Sequence, residues 1–416
     1  MTTFFVDTGG SANNPGTSDA NSPAANGSAA TVSGSVVTLD GSPSLAFLSG
    51  RTSGATQAAI YLNDATNANQ KIFKITAYDD TAKTVTVSVA PTGVTSSSWA
   101  IDGRHVFTSA NIEATFTAGD QVVLNNTPAS KAVDFLTCRT PGDSASGFIK
   151  FRGASGSRPV LQVTNTNQCI EGGSQALWWF ENLELDQDGA SGNVAQATGA
   201  GTVFYNVKVS DGGGAGITAS TNGHRLIGNE VTGILGDAIS FNTLTVCHGN
   251  NLHDVSGDGI ENNGTSAMFV SFNVIDTCAG RGIFASSTSI TSPGNPLFLT
   301  NNTVYGCGDT GFEVADADAP VVLVNSIFSE NGNAAGEYNV EWTAGAAENV
   351  SFHAWNNFYH SGGGGGANLS GLTVNAHVAS SEFTTDPQFT DAAGGNFSIG
   401  SSSPAKAAGF PGAFLG

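Results

Sequence analysis

Residues 249–260 read GNNLHDVSGDGI, and the pattern nearly recurs on both sides: IGNEVTGILGDAI spans 227–239 and SFNVIDTCAGRGI spans 271–283. Aligned on asparagine, the anchors are Asn182, Asn206, Asn229, Asn250, Asn273, Asn302 and Asn325, with Asn356 or Asn357 as an eighth. The intervals of 24, 23, 21, 23, 29, 23 and about 31 residues lie in the range of solenoid repeats. Two residues past the anchor stand Val231, Leu252, Ile275, Val304 and Ile327. Five past it stand Ile234, Val255, Cys278 and Cys307, and ten past it Ile239, Ile260, Ile283 and Phe312. Three apolar columns at fixed offsets mean three inward-facing positions per repeat.

A repeat of this length is too short for a helix pair and lacks helical periodicity. It suits two or three short strands per turn of a coil, each paired in parallel with its equivalent one turn along, ~4.8 Å away. The expected fold is all-β, a right-handed parallel β-helix, with the hand taken from the general preference of parallel crossovers. An anchor Asn can adopt left-handed backbone at a bend, and its amide can bond along a stack of its equivalents. Asn229, Asn250, Asn273 and Asn302 therefore read as architecture. Cys278 and Cys307 read as core, with an inter-turn disulfide the less favoured alternative.

Composition agrees. The 416 residues hold 54 Gly and only 12% charged residues, which suits short strands and tight turns better than long helices. Thirty-four acidic against 14 basic residues give a net charge of −20, arguing against nucleic acid and anionic membrane surfaces as partners. Past Arg281 the only basic residue is Lys406, against eleven acids. Five cysteines do not describe a disulfide scaffold, and no spacing suggests zinc. No stretch approaches the ~20 apolar residues of a membrane span. MTTFFVDTGG has no basic or apolar leader segment, so the expectation is a protein without a secretion signal, remaining in the cytoplasm or released by a route such as lysis.

Four segments are expected: an N-terminal strand and loop over 1–30, a small antiparallel β module over 31–104, the coil over 105–380, and a capping segment over 381–416. In the module, Phe73, Ile75 and Ala77 alternate against Val85, Val87 and Val89 across a turn at Asp79–Lys83, which predicts a hairpin. SGGGGGANL (361–369) reads as a flexible break. The tail reads as a cap across the open end of the coil.

The head FFVDTGGSANNPGT (4–17), the turn FRGASGSRPVL (151–161), the Asn-anchored coils, and DPQF with FSIGSSSPAKAAG (386–409) resemble right-handed β-helix proteins of the pectin-lyase-like superfamily. That superfamily includes polysaccharide lyases and hydrolases, phage tailspikes, head fibres and non-catalytic adhesins, so the resemblance speaks to fold before function. A pectate-lyase-like mechanism implies an Arg or Lys base beside Ca²⁺-binding carboxylates. A polygalacturonase-like one implies paired Asp with His and Arg-Ile-Lys, which is absent; NGHRLIG (222–228) has His-Arg without its companions.

Candidate site residues follow from the repeat. Asp237, Asp258, Arg281 and Thr310 stand eight past the anchor. Glu261 and Glu313 stand eleven past it, and His253 and Asp276 three past it. If these sides of the coil met, a groove would carry carboxylates and one Arg, suited to Ca²⁺ or sugar binding or to acid–base cleavage. Asp237, Asp258, Arg281 and Glu261 are the catalytic candidates. The alternative is that polar residues in a Gly-Asp-Gly bend are ordinary turn chemistry. Asp186 and Asp188, in LDQDGASG (185–192), are Ca²⁺ candidates that lack a terminal bidentate Glu. Trp178 and Trp179 could form a sugar-stacking platform, and strand alternation turns at least one of them outward.

The leading functional expectation is a structural or host-recognition protein on the exterior of a phage particle, as capsid decoration, head fibre or tailspike. Its partners would be other virion proteins, further copies of itself (a trimer among the options), and a host surface glycan. The alternatives are a polysaccharide lyase or glycosidase, secreted in that case, and a bacterial surface adhesin.

Overall fold

In the computed structural model the residues described are 3–7, 23–54, 57–62, 65, 72–94, 97–101, 105–106, 116–124, 132–133, 136–138, 141–154, 158–165, 168–264, 267–286, 296–315, 320–332, 337–343, 352–361, 367–370, 376–378 and 383–407. The glycine run of the expected flexible break, 362–366, and the loop after the first strand, 8–22, lie outside them. The chain forms two compact units, residues 1–163 with 169–184, and residues 164–168 with 185–416.

In the first unit, Thr3–Asp7 pairs in parallel with His105–Val106 and Gln121–Leu124. Gln121–Leu124 pairs with Ile149–Gly153, and that strand with Trp178–Glu181. Between the first two partners the chain leaves to build a closed antiparallel barrel. Its strands, in order around the barrel, are Ala25–Ser33, Val36–Leu39, Thr84–Val87, Ile72–Asp79, Ala59–Leu62 and Ser97–Ile101. The hairpin expected at 73–89 is present, with Ile75 opposite Val87 and Asp79 opposite Thr84. Asp79 Oδ1 closes its turn by accepting from the Thr81 and Ala82 amides. Phe73, Ile75, Val85, Trp99 and Ile60 fill the barrel core. Closure leaves this small sheet no open edge, which alternation alone could not reveal.

Lys74 leaves the barrel wall to pair with Asp120, whose side chain is 2% exposed, and both also meet the Thr117 hydroxyl. Removing one member of such a pair strands the other's charge. Lys74→Met is expected to cost about 3 kcal/mol or more in chemical denaturation, and the added Asp120→Asn should restore much of it. A loss below about 1 kcal/mol would show the pair behaving as a solvated surface bridge.

The second unit is a coil with three parallel sheets. Sheet 1 holds Glu230–Ile234, Asn251–Val255, Val274–Cys278, Thr303–Tyr305, Ile327–Ser329 and Phe358–His360. Sheet 2 holds Ala195–Ala197, Ile217–Ala219, Ile239–Phe241, Ile260–Asn262, Ile283–Ala285, Phe312–Val314 and Tyr338–Trp342. Sheet 3 holds Val203–Tyr205, His224–Ile227, Thr245–His248, Met268–Ser271, Leu297–Thr300, Val321–Val324 and Phe352–Trp355. Val231, Leu252, Ile275 and Val304 form one fully buried inward column, and Ile239, Ile260, Ile283 and Phe312 another. Each such side chain contributes about 2 kcal/mol of apolar burial.

The anchor asparagines resolve into two adjacent columns, which corrects the single alignment. Asn229, Asn250, Asn273, Asn302 and Asn357 are buried and carry the amide ladder. Asn182, Asn206, Asn325 and Asn356 instead have φ of 52 to 55° and occupy the position one residue earlier, where Gly228 and Gly249 also have positive φ. Ser326, not Asn325, occupies the ladder. Its Oγ accepts from the Asn302 amide, and Phe328 rather than Ile327 continues the inward column of Val304. Asparagine suits both jobs, left-handed backbone and side-chain relay, so letter matching merged two neighbouring columns.

Cys278 and Cys307 lie in the buried column below Val255, and all five cysteines are free thiols. The tail packs against the coil. Phe383 stacks on Phe358, while Phe389 and Phe397 pack against the outward ring of Tyr305, so the segment covers part of the sheet 1 flank.

Candidate functional site

The bend between sheets 1 and 2 repeats Gly-Asp or Gly-Arg at 236–237, 257–258 and 280–281. Asp237 Oδ1 accepts the Asp258 amide at 2.9 Å, and Asp258 Oδ1 accepts the Arg281 amide at 2.7 Å. Each carboxylate thus ties down the next coil. A Cβ on Gly257 would sit 2.5 Å from Asp237 Oδ1, and one on Gly280 2.5 Å from Asp258 Oδ1. The glycines are there because an aspartate occupies the space a side chain would need.

Asp258 and Arg281 complete one another. Arg281 Nε and Nη2 donate to the two Asp258 oxygens at 3.2 and 2.9 Å, and Nη1 donates to Glu313 Oε2 at 3.1 Å. The guanidinium also lies over the Phe284 ring, 3.1 Å from its centroid. Burial opposes the charge of Arg281, and the bonds from Asp258 and Glu313 more than offset it, so the guanidinium stays protonated. Burial likewise works to raise the Asp258 carboxyl. The bidentate geometry nonetheless favours the ionised pair. Asp258 and Arg281 are therefore a bracing pair beside the site, with their donors and acceptors directed at each other and at Glu313.

Glu261 is different. Its side chain projects outward from sheet 2, in the column Thr218, Ser240, Glu261, Phe284, Glu313 and Glu341. Partial burial pushes its carboxyl from the ordinary 4.5 to about 7, and the hydrogen bond and charge of Asp237 add to the rise. The Ser240 hydroxyl donates to Glu261 Oε2 at 3.2 Å. Glu261, with Asp237 beside it, is thus the carboxyl placed to hold a proton near neutrality.

Beside this pair lies a cleft of about 150 Å³, lined by Asn193, Gln196, Thr218, Ser240, Asn242 and Asn263 among others. Its signal was present in the repeat. Ser240 stands at the offset of Glu261, and Asn242 and Asn263 form their own column thirteen past Asn229 and Asn250. Outward polar columns of this kind suit solvent equally well.

His253 and Asp276 do not join this site. They stand on the outward face of sheet 1, where His253 Nδ1 meets Asp254 Oδ2 at 2.8 Å and burial raises the Asp276 carboxyl. Trp178 is fully buried, stacked on Phe180 and edge-on to Phe116, which removes it from the sugar-stacking candidates. Trp179 reaches the surface with Lys150 Nζ 5.3 Å from its ring centroid. Asp186 is buried and its Oδ1 accepts the Asp188 amide, the geometry of a turn. Among the described residues, no group of three or more His, Cys, Asp or Glu is arranged to hold a metal ion.

Against this geometry the comparisons speak to fold. The family described as "Right handed beta helix region" matches residues 193–352. The coil is a right-handed parallel β-helix. No curated protein matches the sequence. Among solved structures, the chain is similar to pectate lyase Pel9A, with a TM-score of 0.52 and 14% identity over 74% of this chain and 87% of that one. The periplasmic alginate epimerase AlgG aligns at a TM-score of 0.41 and 14% identity over 68% and 62% of the two chains. The catalytic unit of a GH87 α-1,3-glucanase from Streptomyces thermodiastaticus aligns at 0.35 and 12% identity over 86% and 87%.

Proposed function

We propose that the outward face of sheet 2 around Glu261 binds a glycan and that the Asp237–Glu261 pair supplies a proton there. The observation that carries this is a half-buried carboxyl, Glu261, raised towards neutrality by burial and by Asp237, beside a cleft of amides and hydroxyls. An acid whose pKa lies near the working pH is suited to proton transfer, and a polar cleft suits a hydroxyl-rich ligand. That structures of polysaccharide-acting proteins share the fold is in keeping with the reading. Asp237 acts on the chemistry through Glu261, whose carboxyl its charge helps to keep protonated. Glycosidase carboxyls that flank a bond as acid and nucleophile stand ~5 Å or more apart. The direct test is binding and cleavage of a panel of soluble polysaccharides, with and without calcium, by the full chain. Absence of both for every polymer would sink the reading.

The proton should also show in stability. The folded chain holds the Glu261 proton more tightly than the unfolded chain, in which the pKa returns towards 4.5. Its contribution is complete below pH 4.5 and is lost as pH rises through about 7. Melting temperature is expected to fall across this window in the wild type, and to fall less in Glu261→Gln. Identical pH profiles for the two proteins would show that Glu261 does not hold its proton near neutrality.

A second reading places this face on the exterior of a phage particle, presented to a host glycan by a homo-oligomer. Five buried free thiols favour it, since they suit assembly in a reducing compartment. The separately closed barrel would be the attachment element. Imaging the native particle tests this: density for the chain on a capsid or tail supports it, and a free soluble monomer removes it.

A further inference from the structure

Resting on the glycan reading above, we infer that the cleft beside Glu261 takes an uncharged sugar and discriminates against polyuronates. A uronate carries one carboxylate per ring, and a site for it needs cations or donors left free to pair with that charge. None of the side chains described as lining the cleft is charged. Amides and hydroxyls from four successive coils face it: Gln196, then Thr218, then Ser240 with Asn242, then Asn263. The second unit's cations are elsewhere. Lys208 stands on the strand preceding Glu230–Ile234 in sheet 1, Arg225 stands on sheet 3, and Lys406 stands in the tail turn Pro404–Ala407. Arg281, the cation nearest the cleft in the repeat, is held by Asp258 and Glu313 and stacked on Phe284.

The charge bordering the cleft has the wrong sign for a polyanion. Asp237 stands at the bend before the Ser240 strand, and Glu313 and Glu341 stand further along the column of Ser240 and Glu261. A uronate there would meet carboxylates without a compensating cation. An uncharged ring meets paired donors and acceptors that cost little to desolvate once its hydroxyls replace water. Such a ring also lacks the carboxylate that would acidify its neighbouring C–H, so this ligand class goes with hydrolysis or with binding alone rather than with elimination.

The test is titration of the full chain with three kinds of soluble polymer: a set of neutral hexose polymers, polygalacturonate, and a glucosamine polymer. Each is run at low and high sodium chloride, alongside Glu261→Gln and Gln196→Lys. At least one neutral polymer is expected to bind with an affinity that salt leaves within about twofold, since no ion pair is involved. Gln196→Lys is expected to weaken that binding and to raise polygalacturonate affinity about threefold, the scale of one exposed ion pair. Binding confined to polygalacturonate or to the glucosamine polymer overturns the inference and leaves the glycan reading standing. Binding to no polymer overturns both. A neutral polymer bound equally by the wild type and Gln196→Lys places the sugar outside this cleft and also overturns the inference.

Discussion

Asn250→Ala is expected to remove about 4–6 kcal/mol of folding stability, which would bring a domain of ordinary stability close to unfolding at room temperature. The substitution deletes four hydrogen bonds in a site 1% exposed to solvent. Asn250 Oδ1 accepts from the Asn229 amide and from Asn229 Nδ2, at 2.9 and 3.0 Å. Its Nδ2 donates to Leu226 O at 2.9 Å and to Asn273 Oδ1 at 2.8 Å. Alanine leaves those partners buried with no room made for water, and the penalty is for stranded groups rather than for lost contacts. Asn250→Asp separates the two halves of the interaction. It keeps the acceptor for Asn229 but cannot donate, and it sets a charge against Asn273 Oδ1, so it should be at least as damaging. Urea denaturation followed by circular dichroism measures both variants. A loss below about 1 kcal/mol for alanine would mean that the ladder is ornamental and the apolar columns alone hold the coil.

Glu261→Gln is expected to lower turnover of a cleaved glycan by roughly 10²- to 10⁴-fold while leaving its affinity within a few-fold, because a positioned proton donor is lost and the outline of the cleft is kept. The wild-type rate should fall as pH rises past about 7, where Glu261 gives up its proton. The residual rate of the variant should lack that limb. Asp237→Asn should shift the limb rather than abolish it, since Asp237 acts through Glu261. Equal rates for wild type and Glu261→Gln on the same polymer would move the chemistry away from this pair. A polymer bound with no cleavage by either protein would leave a recognition surface and remove the catalytic part of the proposal.

Much of the fold was legible because solenoid packing writes itself into sequence. A residue such as Ile260 has the same environment as Ile239 and Ile283, so the same kind of side chain returns at each turn. The assignment of Asn325 to the ladder failed for a chemical reason. Its left-handed backbone and the relay at Ser326 are adjacent demands that asparagine meets equally well, and only register tells them apart. The site was legible in part. Asp237, Asp258 and Arg281 stack at one bend, as their shared offset implied, and Glu261 stands on the strand that follows it. Their division of labour was not readable, because it depends on where the Arg281 fork points. The amides of the cleft come from outward columns, where sequence does not distinguish a ligand surface from a wetted one. Strand alternation did forecast that Trp178 and Trp179 face opposite ways, but not which of them is buried.

The amide ladder has a direction. Asn250 reaches back to Asn229 and Leu226, Asn273 to Asn250 and Cys247, and Asn302 to Asn273 and Val270. Each bend is therefore completed by the turn that follows it in the chain. During synthesis the newest turn would always be unfinished and the one before it would be locked by its arrival, so the coil advances like a ratchet from the N-terminal side. At Asn357 the following turn supplies backbone in place of an asparagine: Phe383, in a parallel bridge with Phe358, donates its N–H to Asn357 O and accepts from Tyr359 N.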